Sequence, residues 1–222
     1  MNTLNDLHKI SSTFSNTEKM PVLFLGHGSP MNAIEENQFV TGFRNLAKTL
    51  PQPNAILCIS AHWFTSGTKV TAMEMPKTIH DFGGFPQELF EQQYPAPGAP
   101  EWAVQTAQQL RQPHSGEAVG VDLTEWGLDH GAWGVLKPMF LAADIPVVQL
   151  SIDYHRPPAE HFALGQQLRA LREQGVLIVA SGNTVHNLRT MNRSAADNQA
   201  YDWAIQFDEW VAQQITSGHL EA

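Results

Sequence analysis

The chain has 222 residues, 42% hydrophobic and 16% charged, which is enough to bury the core of one large domain and too apolar for a disordered chain. Thirteen Lys and Arg against 22 Asp and Glu give a formal net charge of -9, so no basic footprint offsets nucleic-acid phosphates and no nucleic-acid partner is expected. A single cysteine, Cys58, excludes an internal disulfide framework and four-cysteine zinc sites, and it suits a reducing cytoplasm. No apolar run is long enough for a signal peptide or a membrane span, so no membrane partner is expected either. Histidine is the unusual residue: there are ten.

Residues 1–19 are polar and read as a leader. The pattern changes at Pro21, where PVLFL is a continuous apolar run ending in GHGSP, the mark of a buried strand entering a glycine-rich loop. Residues 36–50 follow with helical spacing, placing Phe39, Val40, Phe43, Leu46, Ala47 and Leu50 on one face before Pro51 and Pro53 stop the helix. Residues 55–60 (AILCIS) predict a second buried strand, and residues 70–75 a third. Residues 77–100, rich in Pro, Gly and aromatics, read as a long ordered loop, a kind of segment that tends to carry function in compact domains.

Further on, 101–110 reads as helix, 118–122 as an edge strand, 131–143 as helix, 146–152 as strand and 158–174 as one helix ended by Gly175. Residues 176–181 (VLIVAS) are another apolar strand, and 202–215 an amphipathic helix. Apolar strands alternating with helices predict a single α/β domain over 20–222, with a mostly parallel central sheet covered by helices on both faces.

Several strands run directly towards histidines. Leu25 leads to His27, Ile59 to His62, and Ser181 to His186 after a short glycine turn. In an open parallel sheet the loops beyond the carboxyl ends of the strands form the ligand crevice, so all three can reach one rim. Neutral imidazole is a good ligand for Zn, Fe or Cu, and clusters with an open position support hydrolytic or oxygen chemistry. From pattern alone, His27, His62 and His186 are either metal ligands or satisfied structural histidines. His130, in LDHGAWG, is an acid, a base, a substrate hydrogen-bond donor or a capping residue, since an unperturbed pKa of about 6.5 allows either charge state. His80 could line the same pocket from the long loop. His8, His114, His161 and His219 read as surface residues. The glycines fit neither a dinucleotide nor a phosphate loop, and neither Ser29 nor Ser181 sits in a nucleophile elbow. Cys58, inside a strand, reads as a small buried hydrophobe.

At these residues a family resemblance enters. GHGSPMN at 26–32, SAHWF at 60–64, TIHDFGGFP at 78–86, GLDHGAWG at 127–134 and ASGNTVHNLR at 180–189 occur in the order found in DOPA-type extradiol ring-opening dioxygenases. The chain thus resembles the class III extradiol dioxygenase superfamily from about Pro21 to Trp210. The resemblance implies one divalent ion held by His27 and His62. It gives His186 two roles, active-site base and neighbour or ligand of the metal, and it sets His130 near the substrate and oxygen. The implied cofactor is Zn(2+), with Fe(2+) for turnover. The implied partners are a catechol such as L-DOPA, cleaved at the 4,5 bond, and O2. Apart from the resemblance, a monomer is the default expectation, since no exposed apolar stripe to spare is evident, and the single cysteine suits the cytoplasm. Residues 82 and 85 in the long loop, both Phe, would join His80 in an aromatic pocket wall.

Family members continue past Ala222 with another strand and a further metal-binding histidine, so the chain is expected to be a catalytic domain lacking that strand. The same three histidines would also serve a zinc-dependent hydrolase or lyase, or a non-catalytic metal-binding protein on this fold. Metal identity and O2 dependence separate these alternatives.

Overall fold

A computed structural model of the chain describes residues 18–191 and 199–218. Most of the leader, together with His8 and His219, lies outside the described residues. The chain forms two compact units, Met1–Gly182 and Asn183–Ala222.

The first unit begins with strand β1 (Val22–Gly26), followed by helix α1 (Gln38–Thr49) and β2 (Ala55–Ser60). The short strands β3 (Phe64–Thr65) and β4 (Lys69–Thr71) come next, then α2 (Gln87–Phe90), α3 (Pro100–Gln109) and β5 (Gly120–Asp122). Helix α4 (His130–Met139), β6 (Val147–Gln149), β7 (Ile152–Asp153), α5 (Pro158–Gln167) and β8 (Val176–Gly182) complete the unit. Four strands form the central sheet in the order β1-β8-β2-β6, and every pairing in it is parallel. Two small parallel pairs, β3 with β7 and β4 with β5, flank it.

Both faces of this sheet are covered, as the unbroken apolar strands require. Ile56, Cys58, Leu177, Val179 and Val147 pack with Phe43 of α1 and Trp133, Val135 and Leu136 of α4. The alternate residues Leu57, Val148, Val176 and Ile178 pack with Trp102, Ala103 and Ala107 of α3 and Leu164 of α5. Side chains of successive strand residues point to opposite faces, so a strand buried on both sides must be apolar throughout. Each large side chain buried in this way contributes roughly 1.5–3 kcal/mol relative to exposure.

Local signals set the element ends. The Asn37 side chain caps α1 by accepting from the Phe39 and Val40 N–H groups at 3.0 Å each. Pro100 and Pro158 open α3 and α5, where a missing N–H is not needed. Gly175 adopts a left-handed φ of 75° just before β8.

Three readings of the sequence need correction. Among the described residues β1 pairs with β8 alone, which leaves Val22 and Phe24 exposed while Leu25 is buried. The predicted apolar face of α1 is narrower than its spacing implies: Val40 and Phe43 are buried, but Phe39 is exposed. The 158–174 helix changes after Gln167 into tighter 3-10 turns over Leu168–Gln174, which bury Leu168 and Leu171. The long loop holds one turn of helix, α2, and otherwise follows its reading.

The second unit contains the turn after β8 and helix α6 (Asp202–Ser217). Trp203, Ile205, Phe207, Trp210 and Ile215 of α6 are exposed. Among the described residues, no helix is long and apolar enough to cross a membrane.

Candidate metal centre

The GHGSPMN segment builds the first arm of the site. Gly28 has φ +62°, a left-handed turn that glycine adopts without Cβ strain. The turn brings Ser29 into position to cap the short helical turn Pro30–Ala33, accepting from the Met31 N–H at 3.2 Å. Buried Asn32 then reaches back, donating from Nδ2 to the His27 carbonyl at 3.1 Å, while its own Oδ1 accepts from Asn37 at 2.8 Å. His27 itself is buried, and its backbone N–H donates to Gly182 O at 3.3 Å, so pairing with β8 extends one step beyond β1.

The second arm comes from SAHWF. Ser60, the last residue of β2, accepts the His62 N–H at 3.2 Å and donates to Asp129 Oδ1 at 2.6 Å. Trp63 is buried and stacks on Trp126, with centroids 5.9 Å apart and planes 5° from parallel. This anchors the segment on the far side of His62.

GLDHGAWG supplies the third arm. Asp129 is fully buried and caps α4 by accepting the Ala132 N–H at 3.1 Å. Its carboxylate also accepts from Gln149 Nε2 at 2.8 Å and Trp126 Nε1 at 3.1 Å, in addition to Ser60. A buried charge is tolerable when its lone pairs are filled in this way. Gly131 is required by proximity: a Cβ there would lie 2.4 Å from Ser60 Oγ and 2.8 Å from His62 Cδ2. Its absence lets the start of α4 close onto the end of β2.

These arms bring His27, His62 and His130 together, with one ligand atom from each lying within 4.8 Å of the others. The His27 and His62 Nε2 atoms are 3.4 Å apart. The rings of His62 and His130 have centroids 4.0 Å apart. Ser181 Oγ donates its hydrogen to the Gly131 carbonyl, so towards His27 Nδ1, at 3.1 Å, it accepts. His27 therefore carries a proton on Nδ1, which leaves Nε2 as the ring's ligand atom. Asp81 meets the other two rings, with Oδ2 3.1 Å from His62 Nδ1 and Oδ1 2.9 Å from both His130 Nδ1 and the His130 N–H. Burial alone would raise the Asp81 pKa, but hydrogen bonds from His130 and His62 hold it well below the usual carboxylate range. For His62, burial works against protonation, yet the Asp81 hydrogen bond and the charges of Asp81 and Asp129 raise its pKa above the ordinary imidazole value.

The donor set fits a divalent metal. Two nitrogens each about 2.1 Å from a tetrahedral ion lie about 3.4 Å apart, the separation seen between the His27 and His62 Nε2 atoms. Each of these rings also has its second nitrogen held by an oxygen, as metal-ligating histidines generally do.

The converging imidazoles lie wholly within the first unit. His186 belongs to the second, four residues past β8, and is exposed. His80 donates from Nε2 to the Gln92 carbonyl at 2.8 Å and packs edge-on against Trp133 and Phe82. Phe82 in turn packs edge-on against His130 and Phe85, with centroids 5.4 Å and 5.5 Å away, so the aromatic wall read from the loop borders the histidine cluster. Cys58 is fully buried, and burial pushes its thiol well above its usual pKa, as a packing residue should behave.

Sequence reasoning missed Asp81, Asp129 and Ser181, although each lies inside a quoted motif. A buried carboxylate next to a candidate ligand histidine, in TIHDF and in LDHG, was the available signal.

The arrangement has known counterparts. A family model described as the catalytic LigB subunit of aromatic ring-opening dioxygenase matches residues 21–222. The chain is 51% identical over 207 residues to the 4,5-DOPA dioxygenase extradiol of Escherichia coli (strain K12), covering 93% of this chain and 74% of that one. It is 39% identical over 202 residues to the 4,5-DOPA dioxygenase extradiol of Beta vulgaris, covering 89% and 74%. The crystal structure of an uncharacterized protein from Escherichia coli K12 matches with a TM-score of 0.74 at 48% identity, over 89% of this chain and 73% of that chain. With its parallel sheet, its strand-end histidines and a match spanning nearly all of its length, the chain belongs to the LigB family of extradiol aromatic ring-opening dioxygenases, enzymes that work with a metal.

Proposed function

We propose that the chain opens the ring of a catechol such as L-DOPA at the 4,5 bond, using O2 at a single divalent ion. The observation that carries the metal is the approach of the His27 and His62 Nε2 atoms to 3.4 Å, the spacing of two nitrogen ligands on one tetrahedral ion. The substrate and the bond cleaved rest on the names of the relatives in Escherichia coli and Beta vulgaris. Zn(2+) is the resident ion in this reading and Fe(2+) the ion of turnover, since imidazole nitrogen suits both.

When bound, the metal supplies a template for two adjacent hydroxyls and, as iron, electrons towards O2. The remaining work falls to the chain's own side chains. His27 and His62 hold the ion. His186, by its match to the family motif, is both the base that takes a proton from a catechol hydroxyl and a neighbour of the metal. His130, whose Nδ1 is committed to Asp81, is read as the hydrogen-bond donor to oxygen as negative charge develops there, a role that requires hydrogen on both of its ring nitrogens. Phe82 and Phe85 offer apolar ring surface beside His130, which suits a flat aromatic substrate. One carbon–carbon bond next to the diol breaks, and both atoms of O2 enter the semialdehyde acid. The single buried thiol suits a reducing cytoplasm.

The test is O2 uptake and the appearance of the yellow semialdehyde product with L-DOPA, on protein reconstituted anaerobically with Fe(II). His186→Ala should lower turnover by at least about 100-fold while leaving catechol binding in place, and unchanged turnover would remove His186 from the mechanism. His27→Ala should lose the metal; stoichiometric metal in that variant would strike it from the ligand set.

A further inference from the structure

We propose that Asp81 is the positioning residue of the centre, a single carboxylate that fixes the proton of two imidazoles at once and so keeps the His62 Nε2 free for metal; this rests on the metal-dependent reading above. An ionised carboxylate can only accept hydrogen bonds. Asp81 Oδ2 lies 3.1 Å from His62 Nδ1 and Oδ1 lies 2.9 Å from His130 Nδ1, so both rings carry hydrogen on Nδ1. Both therefore direct Nε2 away from Asp81. The carboxylate itself is oriented, because Oδ1 also accepts the His130 backbone N–H at 2.9 Å. That N–H belongs to the first residue of α4, where unfilled helix donors favour an acceptor.

The orientation makes the effect of an isosteric change specific. In Asp81→Asn the carbonyl oxygen must take the Oδ1 position, since two donors of His130 point there. The amide NH2 then occupies the Oδ2 position and donates towards His62 Nδ1. His62 can accept only by moving its proton to Nε2, the atom that faces His27. One ring is switched to the wrong tautomer while the other keeps its partner. A carboxylate needed merely for packing would show no such asymmetry.

The experiment uses the whole 222-residue chain labelled with 15N histidine. In metal-free protein at alkaline pH, NMR should find the His62 proton on Nδ1 in the wild type and on Nε2 in Asp81→Asn, with His27 unchanged. Titration with zinc alone should give an affinity about 10–100-fold weaker in Asp81→Asn. Asp81→Glu, which keeps two accepting oxygens, should retain the wild-type tautomer. An unchanged His62 tautomer or unchanged zinc affinity in Asp81→Asn would overturn the assignment. So would an Asp81→Glu variant that behaves like Asp81→Asn, since side-chain size and not acceptor character would then be the cause. Neither measurement involves a catechol or turnover, so failure of the ring-opening reading leaves the tautomer result standing on its own.

Discussion

A single hydroxyl decides which nitrogen His27 offers. Ser181 spends its hydrogen on the Gly131 carbonyl and so can only accept from His27, although the two lie 154 positions apart. Ser181→Ala should therefore leave the fold intact but free His27 to change tautomer and rotate, with metal affinity falling about 10-fold or more; calorimetric titration with zinc checks it, and unaltered affinity would mean that packing alone orients the ring. His27 and His62 could be read towards one rim because they stand at the ends of apolar strands, where parallel sheets place ligand sites; His130, the third imidazole of the cluster, opens a helix and carries no such signal. Their oxygen partners were not legible, because Asp81, Asp129 and Ser181 acquire their roles only from neighbours distant in sequence. Ser181 in ASGN looks like any strand-end serine, and nothing local says that it touches His27.

At the scale of elements, the start of α4 is where fold and site depend on each other. Asp129 caps the helix and accepts from Ser60, Gln149 and Trp126, tying α4 to β2 and to β6. Asp129→Ala removes the cap and strands three donors in the interior, so it should cost at least about 3 kcal/mol. Urea unfolding of the metal-free protein measures this without interference from ligand binding, and a loss under about 1 kcal/mol would show that only the cap matters. The strands of the central sheet were readable from their unbroken apolar runs, and α1, α3 and α4 from periodicity and proline placement. What escaped was exposure. Val22 and Phe24 belong to a run as apolar as AILCIS, yet among the described residues β1 pairs only with β8 and both side chains are exposed. Composition reports that a segment wants a neighbour and is silent on how many it finds. The switch to 3-10 turns after Gln167 escaped for a similar reason: Leu168 and Leu171 are spaced for either helix type.

For the whole molecule, strand order has a consequence in time. β1 and β2 carry His27 and His62 but do not touch; β8, the last strand of the first unit, lies between them. The nitrogen pair therefore exists only after a segment more than a hundred residues downstream has been threaded into place, a slow kind of loop closure. A nascent or partly collapsed chain lacks the preorganised pair of nitrogens that would hold a cation tightly. Metal should then leave the refolding rate unchanged and slow unfolding, whereas a centre formed early would accelerate refolding. Stopped-flow measurements with and without zinc distinguish the two. On this view the ion acts as a latch dropped after the door has shut, and a cell short of metal would still fold the protein correctly, only to hold it less long.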